Sequence, residues 1–221
     1  MGIIAKNSGG GERILAPSGT HLARCYKMIH FGTIEDQYNG ESKWVNKVLI
    51  EWELPNEMKV FDPAKGPQPI SISKEFALSM HPKSTLRAFL TSWRGKGFTE
   101  EEAIAFDVTK LVGAPCQLSI IHEPRQKYPG EFYAKISSVS SIMKGVKAPD
   151  QVNPSFIFEL DPFKVEVFNQ LPDYFKNKVM GSKEYQKLMN PEVVHREEVA
   201  AKVDSWTPDP VDESDLQDLP F

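Results

Sequence analysis

Flat aromatic rings interleaved with lysine and arginine are the side chains of this sequence whose types and spacing could do chemistry. Trp44 and Trp52 share one stretch with Lys43 and Lys47, Lys74 lies on the next, and Arg125, Lys127 and Tyr128 crowd one short loop. A ring offers its π-face to an unpaired base, and a cation pairs with phosphate. A groove holding both retains single-stranded nucleic acid without reading its sequence, each stacked base contributing about 1–3 kcal/mol. Tyr38 belongs with Lys43 on an adjoining loop. Arg24, Tyr26, Tyr133 and Lys135 lie on neighbouring stretches and form a second tier. Several of these have a plainer reading. Trp52 shares a face with Val48, Ile50 and Leu54, which suits a core ring, and Trp93 lies on a helical apolar stripe. The 125–128 group suits a phosphate clamp or a solvated hairpin tip, and both readings stay open.

No catalytic set assembles. Gly9-Gly10-Gly11 lacks the Gly-Lys-Ser/Thr continuation of a phosphate loop, and Gly95-Lys96-Gly97 runs into Phe98. His21, His30, His81, His122 and His195 contain no i, i+4 metal pair, and no Gly-x-Ser-x-Gly elbow occurs. The expectation is a binding protein rather than an enzyme, with no cofactor and no metal. A metal-dependent nuclease stays as a minor reading because acidic residues are plentiful. No recognition-helix, zinc-finger or basic-zipper pattern points to duplex DNA.

The elements that must position these residues begin after a Gly-rich lead-in at 7–12. Alternation predicts a strand over 20–30, with Leu22, Arg24, Tyr26 and Met28 on one face and His21, Ala23, Cys25, Lys27 and Ile29 on the other. A polar loop with Asn39-Gly40 follows. A second strand covers 44–54, its apolar row set against Lys47, Glu51 and Glu53. Four prolines make 55–69 a loop, and a third strand covers 70–80. Ser84 then caps a helix whose Leu86, Phe89, Leu90 and Trp93 form a stripe, and Gly95 and Gly97 stop it. Thr99 to Glu102 is a capping box for a second short helix. A fourth strand opens at Pro115, a hairpin loop spans Pro124 to Gly130, and a fifth strand covers 131–140.

Three strands, a helical connection and two more strands is the element order of an OB-fold. The fold class expected is therefore mostly β with helical additions. It is a five-stranded OB-type β-barrel with a helix between strands three and four, a C-terminal helical extension and a disordered acidic tail. Residues 1–145 are expected to form an OB-type domain that binds single-stranded DNA. Residues 146–190, rich in Phe and Tyr, hold one short strand and two helices that pack on the barrel or on a partner. Residues 191–221 are linker and tail, with a short helix near 192–203. OB-folds bind on strands two and three, rimmed by the loops after strands one and four, and the candidate residues fall there.

Charge divides the same way. Residues 1–150 carry 19 Lys and Arg against 16 Asp and Glu, whereas 151–221 carry 7 against 14. A mildly basic body with an acidic end suits a nucleic-acid binder with a separate acidic device. No apolar run is long enough to span a membrane, no export signal precedes the body, and Cys25 and Cys116 read as reduced core thiols. A cytoplasmic location is expected.

The chain ends Asp212-Glu213-Ser214-Asp215-Leu216-Gln217-Asp218-Leu219-Pro220-Phe221. This ending resembles the C-terminal tip of bacterial single-stranded DNA-binding proteins, in which acidic residues precede a terminal aliphatic-Pro-Phe. More loosely, the whole chain resembles the OB-type single-stranded DNA-binding proteins of tailed phages and prophages. The stretch 144–190 has no counterpart in the bacterial protein, so its tetramer does not transfer. The resemblance implies partners among replication, recombination and repair proteins, docked by Asp212, Glu213, Asp215, Asp218, Leu219, Pro220 and Phe221, and a bacterial host cytoplasm if the protein is phage-encoded. The physics of such a tip is independent of kinship: burying the ring is worth roughly 1.5–3 kcal/mol, and a partner Arg can take the α-carboxylate bidentately. A strand-annealing or recombination-mediator protein and a protein–protein adaptor are the alternative functions. A homodimer could form through a barrel edge or through 156–175.

Overall fold

The computed structural model describes residues 14–38 and 40–190. Its frame is a mostly β sheet of six strands. Strands β1 (Gly19–Tyr38), β2 (Glu41–Asp62) and β3 (Gly66–Ala77) form two long hairpins. Helices α1 (Thr85–Arg94) and α2 (Glu100–Ile104) and a 3-10 turn at Val108–Leu111 lead to β4 (Pro115–Pro124) and β5 (Phe132–Ser140). A short β6 (Phe156–Phe158) precedes α3 (Val165–Asn169), α4 (Asp173–Met180) and α5 (Lys183–Met189). The neighbour order is β3-β2-β1-β4-β5, all antiparallel. β6 pairs parallel with β1 at Lys27–Ile29, just beyond the point where the β4 ladder stops at Arg24 opposite Pro115. The ladder is open between β3 and β5, and across that gap Lys74 Nζ lies 3.5 Å from the Ile136 carbonyl.

The local signals for α1 and α2 operate as physics requires. Ser84 Oγ accepts from the Arg87 amide at 3.1 Å, and Gly95 leaves α1 at φ +72°, where a Cβ would be strained. Thr99 and Glu102 close the reciprocal capping box of α2. Leu86, Phe89, Leu90 and Trp93 seal one side of the first core, whose sheet side comprises Ala23, Cys25, Met28, Val48, Ile50, Trp52, Leu54, Ile72, Leu118 and Ile136.

Three expectations change. Residues 55–69 are not a loop: β2 runs on to Asp62 and β3 begins at Gly66, giving a projecting hairpin arm. Its prolines are tolerated because β3 ends the ladder path and the register shifts between Leu54 and Met58. β1 does not give way to a loop after residue 30, because it continues to Tyr38. Strict alternation along β1 also fails. Bulges at Cys25/Lys27 and His30/Gly32 insert extra residues, so Met28 joins Cys25 in the first core while Ile29 and Phe31 face the opposite way.

That opposite face holds a second core. Ile29, Phe31, Ile34 and Leu49 pack against Phe158, Leu160, Phe168, Leu171 and Val179 of the C-terminal extension. The extension carries three helices rather than two. Its approach to β1 is fixed at Gly32, φ +78°, and by Glu184, which accepts from the Thr33 amide and hydroxyl at 2.6 Å each.

Candidate nucleic-acid interface

The end of the β4–β5 hairpin gathers one group of the candidate residues. Glu123 pairs with Tyr133 and Pro124 with Phe132 across the ladder, and the Arg125 amide donates to the Glu131 carbonyl at 2.8 Å. A turn from Arg125 to Gly130 then presents Lys127 and Tyr128 to solvent, the Tyr128 ring 56% exposed. The Glu123 carboxylate accepts from Lys135 Nζ at 2.8 Å and from the Tyr133 hydroxyl at 2.6 Å. Lys135 first, and Tyr133 second, hold the Glu123 carboxyl below its usual range. The same contacts raise the pKa values of Tyr133 and Lys135. Arg125 is only loosely tied, its Nε 3.8 Å from Glu131 and without a hydrogen-bond partner. Glu123, Pro124, Arg125, Gln126, Lys127, Tyr128 and Tyr133 line an open hollow of about 710 Å³. Lys74 lies apart, on the inner side of β5. Its ammonium lies over the Phe76 and Phe89 rings, and burial, then the nearby Lys135 charge, lower its pKa. At the hairpin end three cations, Arg125, Lys127 and Lys135, thus stand against two carboxylates, Glu123 and Glu131.

The outer face of β2 and β3, where an OB-fold would bind, is a different surface. Its side chains include Glu51, Glu53 and Glu75, and its cations are already engaged. Lys47 pairs with Asp36 at 2.6 Å and lies 3.9 Å from Glu75, which also takes Lys178 from α4. Lys27 and the Tyr26 hydroxyl both bind Glu51, at 2.9 and 2.6 Å. Arg24 donates to the carbonyls of Gly113 and Pro149, at 2.7 and 2.9 Å. Glu53 is fully buried and accepts from the amides of Val152 and Asn153. Together Arg24 and Glu53 strap residues 149–153 across the sheet.

The thirteen body candidates therefore separate. Trp52 is corrected: at 0% exposure it is wedged against Phe89 and Trp93 and offers no face to a base. Tyr26 is buried as well, and Arg24 and Lys47 serve as internal ties. Lys43 and Trp44 are exposed at the far end of the β1–β2 hairpin, with Lys183 of α5 4.4 Å over the Trp44 ring. Tyr38 ends β1 opposite Glu41. Arg125, Lys127, Tyr128 and Tyr133 line one hollow, Lys135 joins them through Glu123, and Lys74 lies apart on the inner side of β5 beside the Ile136 carbonyl. Phe132, which the sequence reading did not single out, begins β5 at 51% exposure, on the face of the strand opposite Tyr133. Asp212, Glu213, Asp215, Asp218, Leu219, Pro220 and Phe221, and the helix expected near 192–203, lie outside the described residues.

Among the described residues no group of three or more His, Cys, Asp or Glu is placed to hold a metal ion, and no helix is long and apolar enough to cross a membrane. Comparison with protein-family models, with curated proteins and with solved structures finds no match for this chain.

Proposed function

We propose that this protein binds single-stranded DNA without sequence preference at the β4–β5 end of an OB-type barrel, and recruits replication, recombination or repair proteins through its acidic Leu-Pro-Phe terminus. The observation that carries the reading is the hairpin cluster: an exposed Tyr128 ring beside Arg125 and Lys127, with Lys135 joined to the same hollow through Glu123. Rings for bases and cations for phosphates are what such binding requires. The barrel reading is supported by the order β3-β2-β1-β4-β5 with helices between β3 and β4, and by the reach of Lys74 across the β3–β5 gap. The terminus rests on its sequence alone. In this role the protein coats exposed strands and holds enzymes near them.

The test is fluorescence anisotropy of end-labelled oligo-dT titrated with the full chain at low salt. Binding that tightens with strand length and weakens with salt supports the proposal, and a flat titration removes it. Annealing of complementary oligonucleotides at stoichiometric protein would place the activity with strand-annealing proteins instead. The pairing of Lys27 and Lys47 with carboxylates on the outer face of β2 and β3, which leaves these cations engaged, favours one second reading, an adaptor that binds no nucleic acid. A flat titration is the result that reading requires.

A further inference from the structure

Among the described residues a groove of about 1260 Å³ opens beside α2 and α5. Met28 and Val48 of the sheet line it, Ile104 stands on it from α2 and Leu188 from α5. Ile104 is 87% exposed and Leu188 49%. α5 has no fully buried residue, and a helix of seven residues gains too little from its own backbone to stand alone. Its first turn is tied down: Glu184 accepts from Thr33, and the Tyr185 ring packs on Phe163 and Phe168. Its last turn presents Leu188 and Met189, and no described residue covers them. Glu159 and Asp161 give the lining an acidic side, with Lys187 of α5 also on it.

We infer that residues 192–203 fold back across this groove and cover it within the same chain. Three arguments select this occupant. The first is place. α5 ends at Met189 and Asn190 caps it, so the chain leaves the described residues at the groove's own wall. Only Pro191, which has no N–H to add to the α5 ladder, stands before the segment. A segment on so short a tether acts at an effective concentration of about millimolar, so a weak contact is enough to dock it, whereas a second copy has no such advantage. The second is composition. Val193, Val194, Val199, Ala200, Ala201 and Val203 make half of 192–203 apolar. The third is charge, which ranks the parts of the tail. Residues 192–203 carry Arg196 and Lys202 against Glu192, Glu197 and Glu198, a net of −1, whereas 204–221 carry six acids and no cation. Beside Glu159 and Asp161 the nearly neutral part is the one the groove accepts. Docking shortens the tether that presents the Leu-Pro-Phe end to the 18 residues from Asp204, from the 31 that follow Asn190. The inference rests on the groove and on chain continuity, independently of DNA binding.

Hydrogen–deuterium exchange of the full chain, free of nucleic acid, tests it. Amides of 192–203 should exchange at least about tenfold more slowly than unstructured chain. Ile104→Asp and Leu188→Gln, both at exposed positions, should each return 192–203 to the unstructured rate while the exchange of β1 and β2 stays as in the wild type. Val199→Asp should do the same from the side of the segment. The wild-type protection should be equal at a few and at hundreds of micromolar protein. Wild-type amides at 192–203 that exchange at the unstructured rate overturn the inference. So does protection indifferent to all three variants. Protection that grows with concentration, together with a mass above 24.9 kDa in sedimentation, assigns the groove to a second copy and overturns it too. Loss of oligo-dT binding with the protection intact would sink only the DNA-binding proposal.

Discussion

On the proposed function, Tyr128 and its cationic neighbours are the residues on which strand binding turns. Replacing Tyr128 by Ala removes one exposed ring, and on the proposed function this should weaken oligo-dT binding by about 1–3 kcal/mol, read by anisotropy. The pair Arg125→Ala with Lys127→Ala removes two phosphate partners. The slope of log K against log salt should fall by roughly 1.4, at about 0.7 per contact on a single strand. An unchanged slope would exclude the hairpin from the footprint. Trp52 behaves oppositely. Fully buried among Phe89, Trp93 and the β2 row, it should cost about 3–5 kcal/mol of stability when replaced by Ala, measured by urea unfolding. Because Trp93 is buried too, tryptophan quenching is a poor report of DNA contact here, and a labelled oligonucleotide is the better probe. Cys25 and Cys116 complete the residue scale. Burial pushes the Cys25 thiol up to about 12 and raises Cys116 as well, so both should resist a thiol reagent until the protein unfolds.

At the scale of elements, the weak point is the joint between β1 and α5. A Cβ at Gly32 would sit 2.6 Å from both Leu160 Cδ1 and Glu184 Oε2, at a φ that side chains rarely adopt. Gly32→Ala should therefore cost about 1–3 kcal/mol from the backbone alone, and should expose residues 160–190 to limited proteolysis. The same joint gives a pH dependence. Burial pushes the Glu184 carboxyl up, but the hydroxyl and amide of Thr33 outweigh it and hold the group below its ordinary value of 4.5. A depressed carboxylate stabilises the fold above its unfolded value and loses that contribution as pH falls through the folded one. Thermal melts should thus fall below about pH 4.5, and Thr33→Val should shrink that acid-side dependence. A melt unchanged over that window would dismiss the joint as a titrating contact. The helical elements at 84–104 were legible because capping and a 3.6-residue period act within a few residues: Ser84, Gly95 and the Thr99–Glu102 box each announce themselves. The bulges in β1 were not, since nothing local at Cys25 or His30 marks an inserted residue. The arm was hidden by Pro63, Pro67 and Pro69, which read as loop until edge position is known. Among the candidate residues, the grouping at the β4–β5 hairpin was legible, whereas the pairings on the β2–β3 face were not. Alternation says that Lys47 and Tyr26 point outward or inward, and it cannot say that Asp36 and Glu51 have already bound them.

Across the whole molecule, charge is divided more sharply than the net of −4 suggests. Residues 14–190 carry 22 Lys and Arg against 20 Asp and Glu, a net of +2, while 191–221 carry −7. Much of the body's positive charge is spent internally, as at Lys27, Lys47, Arg87 and Arg94, each in an ion pair. The hairpin cluster is therefore a local excess on a nearly neutral body, and a tethered anion of seven charges is large beside it. Removal of residues 212–221 takes away four carboxylates and the Leu-Pro-Phe end while leaving every described residue in place. On the proposed function this truncation should leave oligo-dT binding intact or tighter, with the gain largest at low salt, where the Debye length of about 30 Å at 0.01 M lets the tail's charge act across the body, and vanishing near 1 M, where it is about 3 Å. Replacing Phe221 by Ala separates the two roles proposed for the terminus. It keeps all four carboxylates, so its oligo-dT affinity should match the wild type at every salt concentration. It loses the ring worth roughly 1.5–3 kcal/mol of burial, so capture of replication proteins on immobilised chain should fall about 10- to 100-fold. Capture that survives both the truncation and Phe221→Ala would show that the end is charge alone and that partners, if any, bind the body.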